Sequence, residues 1–462
     1  MSDIELYLQS SPIARDGELP ARDDVGKVFD ELDFQFATQS YLWALPLVSW
    51  AQWQSVHENV FGTAPSDLVV YRTYQDRLGL ITANATTPYI LTFFELNRTG
   101  PMVIELPPGP TAGGCADFWQ REFATMGEMG PDRGEGGKYL VVGPGQQSPP
   151  GDGFRVLQSP MMHVFFGFRT LDPDHERSRT LVEAVRVYPY AERENPPPTR
   201  LVSPDGREWS GIQPRDLRFW ELLHDVLQSE PVEERDRFPM AWLKQLGIEK
   251  GQPFAPDERL SSILQRAIDA GEMFARANAF AKRFPGSQYW PDRKWDTAIV
   301  LDSPTQRGRY HDELLERASW FYEAVSFSMA MKSTMSGLGQ AYLGAYSDAD
   351  GNWLDGGRAY TLHVPAGVPA KLFWSATVYD VDTRCLVDNE QGRGDRGSRD
   401  TDLVVGDDGS VDLYFGPTAP PSRESNWVQT IPDRHWFCYF RLYGPLEPYF
   451  DRSWKLGDIT GL

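Results

Sequence analysis

Long apolar runs, paired cysteines and clustered basic residues are what this chain of 462 residues has least of, and each shortage excludes a class of protein. No stretch approaches the ~20 apolar residues that a membrane-spanning helix needs. The N-terminus, MSDIELYLQSSPIARDGELPARDD, has no basic segment followed by an apolar one, so a cytoplasmic location is expected. The three cysteines, Cys115, Cys385 and Cys438, are far apart in sequence and form no CxxC. A disulfide framework is therefore not expected, and Cys438, inside an aromatic run, reads as a small core hydrophobe. Lys and Arg number 45 against 65 Asp and Glu, a net charge of −20. Such a surface repels phosphates, which argues against nucleic-acid and anionic-membrane partners.

The usual signatures of cofactor and metal chemistry are missing too. There is no GxGxxG, no GxSxG elbow, and no HxH or HExxH among the seven histidines. Gly134-Glu-Gly-Gly-Lys138 lacks the Ser or Thr that follows a phosphate-loop lysine and runs into a strand-like segment, so it reads as a turn. Asp348-Ala-Asp350-Gly-Asn352 has Trp353 and Ala359 where a calcium loop needs Gly and Glu, and it too reads as a hairpin turn. Neither an organic cofactor nor a metal is expected.

What the chain does have is aromatic residues, 13 % of the total, which suit sheet-rich cores and aromatic-lined pockets. Residues 1–27 read as a polar arm. Phe29, Leu32, Phe36, Trp43, Leu47 and Trp50 recur on one helical face, and Pro46 should split or bend that helix. Short strand-like runs follow at 68–71, 90–96, 102–106, 139–142, 161–169 and 184–188, cut by turn residues. Pro196-Pro-Pro198 marks a stiff linker. From 214 to 335 the periodicity becomes helical, with helices expected to start at Pro214 and at Pro256-Asp-Glu and a third over about 310–331. Strands return at 341–346, 358–364, 371–379, 402–405, 411–415 and 435–443, and Asp350-Gly351 and Asp408-Gly409 make turns. The expected class is α+β: a β-rich domain over 28–200 with leading helices, a helical connection over 201–340, a β-sandwich over 341–455, and an unpacked tail over 456–462.

Six segments carry a resemblance: ITANATTPYI (81–90), GPDRGEGGKYLVVGPG (130–145), GIEKGQPFAPD (247–257), AYSDADGNWLDGGRAYTLHVP (345–365), FWSATVYDVDTR (373–384) and ESNWVQTIPDRHWFCYFRLYGPLEPYFDRSW (424–454). Together they resemble the bacterial family that carries paired domains of unknown function, numbered 1254 at the N-terminal side and 1214 at the C-terminal side. The resemblance implies two jelly-roll-like β-sandwiches bridged by helices, and a homo-oligomer. It implies no chemistry. Many members of the family read Asn-x-Asp-Thr-x-Tyr where this chain has Asn84-Ala-Thr86-Thr87-Pro-Tyr89, so the carboxylate position is held by Thr86.

Three polar clusters are candidate sites. In Tyr379-Asp380-Val-Asp382-Thr383-Arg384, a strand ends on charged groups: Asp380 as acid or base, Arg384 as an anion-binding fork and Tyr379 as a proton donor. The bland alternative is an Asp–Arg pair tying off a turn. Asn84, Thr86, Thr87 and Tyr89 supply hydrogen-bonding groups without charge, equally suited to a turn or to a neutral ligand. Trp119, Arg121 and Glu122 offer a stacking surface, an orienting cation and an acid, unless they merely alternate along a strand. Trp374 is added as a wall of the pocket. The expectation is a cofactor-independent enzyme, hydrolytic or proton-transferring, acting on a small, partly apolar molecule between the two β domains. The alternatives are a carbohydrate- or metabolite-binding protein and a structural component of an oligomer.

Overall fold

The segment in which Pro46 should split or bend the chain is a single helix, Val25–Asn59. The computed structural model describes residues 15–147, 153–172, 174–328 and 330–462. Proline removes one N–H from the helical ladder and crowds the preceding turn. Here side chains from elsewhere meet carbonyls around the break: Arg317 Nη2 donates to Trp43 O at 2.8 Å, and Gln120 Nε2 to Pro46 O at 2.9 Å. The expected single apolar face is also too narrow. Every residue from Ser40 to Ala51 is buried, whereas Phe29 and Leu32 are exposed. A helix buried all round must have neighbours on every side. Helices Arg218–Ser229, Arg237–Gln245, Glu258–Phe280 and Leu314–Glu323 pack against it, as does strand Tyr89–Glu95.

Two sheets occupy the N-terminal half. The larger runs in the order 201–202, 68–71, 89–95, 163–170, 111–117, 122–127, and the smaller 186–189, 102–106, 137–142, 155–158. Leu68, Val70, Ile90, Phe94, Ile104 and Val141 fill the space between them. Successive side chains of a strand point to opposite faces, so Val69, Tyr71, Leu91 and Phe93 point the other way and join the helical core.

The C-terminal half repeats this arrangement. Its larger sheet runs 295–297, 340–345, 436–445, 370–380, 395–397, and the smaller one 427–429, 411–416, 360–364, 459–461. Val378, Cys438 and Phe440 pack on Leu362 and Leu413, while Tyr379, Phe437 and Tyr439 face the helices. Each large sheet is thus covered on both faces, which explains its near-continuous apolar runs. The result is a mixed α+β structure with open sheets on either side of a helical layer.

Several expectations are corrected. Thr111–Asp117, Glu122–Gly127 and Arg155–Gln158 are strands, and 402–405 is not. The glycines of TAGGCAD hide a central strand that tolerates nothing larger, since a Cβ on Gly114 would lie 2.1 Å from Ala124 O. The helix expected to reach about 331 ends at Glu323. Residues 456–462 are not an unpacked tail: Leu456 is fully buried, and Ile459–Gly461 pairs with Tyr360–Leu362. In the arm, residues 1–14 lie outside the described residues, and 15–20 form a small hairpin. The helix expected to start at Pro214 begins at Arg218, whereas the Pro256-Asp-Glu signal marks a true helix start, with Asp257 Oδ1 accepting Leu260 N at 2.8 Å to cap Glu258–Phe280.

Strand Trp295–Thr297 carries a pH-dependent element. Burial, aided by Glu323 and opposed by Lys282, pushes the Asp296 carboxyl up to about 6. Between about pH 4, the unfolded value, and about pH 6 the folded chain therefore holds a proton that the unfolded chain has released. The stability this group contributes is present below that window and is lost as pH rises through it. Asp296→Asn should narrow the difference in urea midpoint between about pH 4 and about pH 7.

Candidate functional site

A cavity of about 60 Å³ lies where the two large sheets meet the helical layer. Trp53 of the long helix, Trp320 of helix Leu314–Glu323, and Ala324, Val325, Ser326 and Met331 beyond that helix form one side. Leu80 to Asn84, with Tyr89 and Arg169, come from the N-terminal half, and Tyr342, Tyr439 and Arg441 from the C-terminal half.

The loop 80–89 is shaped by its own hydrogen bonds. Asn84 Oδ1 accepts Thr86 N at 2.6 Å and Thr87 N at 3.3 Å, while Asn84 N donates to Tyr89 Oη at 2.8 Å. Arg77 Nη1, behind the loop, donates to Asn84 O at 2.8 Å. The other half holds the loop in place. Tyr379 Oη donates to Ala83 O at 2.7 Å, Thr82 N to Arg384 O at 2.7 Å, and Asn84 Nδ2 to Tyr443 Oη. Thr82 is β-branched yet has φ of +43°, an outlier for such a residue. Both of its backbone polar groups are fixed from across the junction, the carbonyl by Arg441 Nη2 at 3.1 Å. Strain of this kind, about 1–3 kcal/mol, persists where the surroundings over-determine it and concentrates at functional sites.

Two arginines dominate the electrostatics. Arg441 is 3 % exposed and sits among the rings of Tyr439, Tyr342 and Tyr379, with its Cζ 5.1, 5.2 and 5.5 Å from their centroids. Its Nη1 carries no hydrogen bond. The half-buried Arg169 lies over the Tyr89 ring at 4.5 Å and reaches Thr87 Oγ1 only at 3.5 Å. Burial raises the phenols of Tyr342, Tyr379, Tyr439 and Tyr443 above their usual value, keeping them neutral hydrogen-bond donors.

Of the residues picked from sequence, only Asn84 and Tyr89 line the cavity, and the Asn84 amide is already committed to the loop. Thr86 bonds Asp395 at 3.3 Å, and Thr87 O accepts Arg77. Asp380 closes its own turn, accepting Thr383 N at 2.8 Å, and pairs with Arg434 at 2.9 Å. Arg384 spends all three guanidinium nitrogens on Tyr322 O, Asp382 O and Gln213 Oε1. Arg121 pairs with Asp117 and Glu233. Trp119 packs edge-on against Trp43 at 4.8 Å, and Glu122 accepts Thr125 Oγ1 at 3.0 Å. Trp374 belongs to the core between the two C-terminal sheets, stacked on Phe440. Residues 118–121 form a turn, with Gln120 at φ +62°, and do not alternate along a strand. Cys115 is fully buried, and burial pushes its thiol up, away from the nucleophilic thiolate. His163 is buried against Glu230 at 2.6 Å, whereas His363 is exposed and pairs with Asp412. Among the described residues, no group of three or more His, Cys, Asp or Glu could hold a metal, and no helix is long and apolar enough to cross a membrane.

Arg169 and Arg441 were missed, though each leaves a trace in the sequence. HVFFGFRT and WFCYFRLY each place one arginine inside an aromatic strand that is covered on both faces.

The sequence matches two families: "Protein of unknown function (DUF1254)" over residues 67–189 and "Protein of unknown function (DUF1214)" over residues 339–447. The chain belongs to the family that pairs these two domains. In this DUF1254–DUF1214 protein, Asn84, Tyr89 and Arg169 fall in the first matched segment, and Tyr342, Tyr439 and Arg441 in the second. The cavity therefore needs both. No curated protein matches. The VPA0106 protein from Vibrio parahaemolyticus is similar in fold, with a TM-score of 0.52 at 16 % identity over 93 % of this chain and 100 % of its own. An uncharacterized protein from Burkholderia cenocepacia aligns over 95 % of this chain and 97 % of its own, with a TM-score of 0.42 at 10 % identity.

Proposed function

We propose that this DUF1254–DUF1214 protein binds a small, partly apolar molecule in the cavity between its two β-rich halves. The observation that carries this reading is the composition of the wall. Trp53, Leu80, Trp320 and Met331 supply apolar surface, and Tyr89, Arg169, Tyr342 and Arg441 supply convergent polar groups. An apolar wall with a few placed polar groups is the usual make-up of a ligand site. At about 60 Å³ the space is small, comparable to about two water molecules at ~30 Å³ each.

A second reading, proton transfer on the bound molecule, draws on Tyr89. Its hydroxyl oxygen accepts Asn84 N–H, which leaves the O–H free to donate to a ligand, and its ring lies under Arg169. Asp380 and Glu122, the alternative acid/base candidates read from sequence, have no part in this reading, because neither lines the cavity.

A thermal-shift screen of small metabolites tests the proposal. Binding should be lost in Val325→Phe, which fills the cavity, and retained in Asp380→Asn. A screen without a stabilising compound, or hits indifferent to Val325→Phe, would sink it.

A further inference from the structure

The cavity holds positive charge that the protein leaves unmatched. No carboxylate among the described residues lies within ion-pair distance, 4.0 Å, of Arg169 or Arg441. Lys282 is matched by Glu323 at 2.7 Å and Arg121 by Asp117 at 2.7 Å, and the buried Arg77, Arg317 and Arg384, which have no carboxylate at that distance, donate to backbone carbonyls. Asp395 acts on Arg441 only at longer range. Its side chain is hydrogen-bonded to Thr86, and burial pushes its carboxyl toward the neutral form. Several buried polar side-chain atoms lack partners, but Arg441 Nη1 is the one whose residue lines this cavity. A buried donor on a charged group is costly to leave unmade, so it calls for an acceptor.

Resting on the binding reading above, we propose that the occupant is a small carboxylate anion, of acetate to propionate size, shared between the Arg441 and Arg169 guanidinium groups. A planar guanidinium matches a planar carboxylate. With Arg441 Nη2 held by Thr82 O, Nη1 is the arm left for the ligand. The neutral phenol of Tyr342 lines the same space, and Trp53 and Trp320 supply apolar wall for the alkyl end. The small volume favours a short-chain acid over a larger one.

The test compares acetate and propionate with acetamide and propionamide, by calorimetry and thermal shift on the full chain. Inorganic phosphate and chloride at equal ionic strength serve as controls. Millimolar concentrations suit a ligand of this size. The carboxylates should bind at least about tenfold more tightly than the matching amides, the difference that one charge-assisted hydrogen bond makes. Arg441→Met should abolish that preference, and if this variant does not fold, Arg169→Gln should reduce it. Amides binding as tightly as acids would overturn the anion assignment and leave the pocket reading intact. Stabilisation by phosphate or chloride instead would overturn the carboxylate class. If none of these compounds binds, the inference falls, and the metabolite screen with Val325→Phe decides the pocket reading separately.

Discussion

Arg384→Ala should lower folding stability by about 3–5 kcal/mol while leaving carboxylate binding by the folded fraction unchanged. From sequence this residue reads as an anion-binding fork, and its environment predicts the opposite role. The side chain is 1 % exposed. Nε donates to Tyr322 O at 3.1 Å, Nη1 to Asp382 O at 2.5 Å and Nη2 to Gln213 Oε1 at 2.5 Å, and the guanidinium lies 4.2 Å from the Tyr322 ring centroid. Truncation strands three acceptors, two of them buried, at about 1–3 kcal/mol each, and opens a void that the rigid helix end cannot close. The backbone positive φ of 59° is as unfavourable for alanine as for arginine and adds nothing to the difference. Urea unfolding should show a lower midpoint with an unchanged slope. Arg384→Lys should recover little, since one ammonium group cannot span three acceptors in a fixed plane. A variant of wild-type stability that no longer binds carboxylates would restore the ligand-binding role.

Why the fold was more legible than the site follows from the same residues. Short β-rich runs cut by turn residues marked most strands, and helical periodicity marked most helices. The exceptions are elements that lack those signals. The centre of Val25–Asn59 is buried all round, and the strand TAGGCAD is built from small residues that let Gly167 and Ala124 approach closely. Pro46 does not divide the helix, and the side chains that meet carbonyls near it, Arg317 and Gln120, lie 274 and 74 residues away from the atoms they serve. The site misled in a more instructive way. Tyr379, Asp380 and Arg384 form a polar cluster because a sharp turn needs internal partners, and a satisfied cluster has nothing left to offer a ligand. Arg169 and Arg441 stand alone in aromatic strands, and that isolation is the signal. A lone charge on a face buried in the fold needs a partner from elsewhere, either the protein or a ligand. The junction of loop 80–89 with residues 379–385 does exist, through Thr82 N to Arg384 O and Tyr379 Oη to Ala83 O, but it frames the cavity and does not line it with catalytic carboxylates.

The second large effect concerns the pair behind the cavity wall. Lys282 Nζ and Glu323 Oε2 lie 2.7 Å apart, with both side chains fully buried. Tyr346 and Tyr439 both donate to Glu323 Oε1, and Lys282 also reaches Tyr346 Oη at 2.7 Å. Lys282→Met should cost about 3–5 kcal/mol, because it strands a carboxylate in a space from which water is excluded. The double variant Lys282→Met/Glu323→Gln should recover most of that loss. The amide keeps an oxygen for the two phenols and buries no charge, so the cycle should show a coupling of about 2–3 kcal/mol. Charge, not packing, would then be what the pair contributes. Tyr439 links this pair to the ligand site, since its hydroxyl is held by Glu323 and its ring stands beside Arg441. In the single variant the uncompensated negative charge sits behind that ring and opposes any anion brought to Arg441. Carboxylate affinity should therefore fall in Lys282→Met and return in the double variant, measured by calorimetry on folded protein. Affinity that stays low in the neutral double variant would mean that Lys282 shapes the wall sterically, and the electrostatic link between the two layers would be wrong.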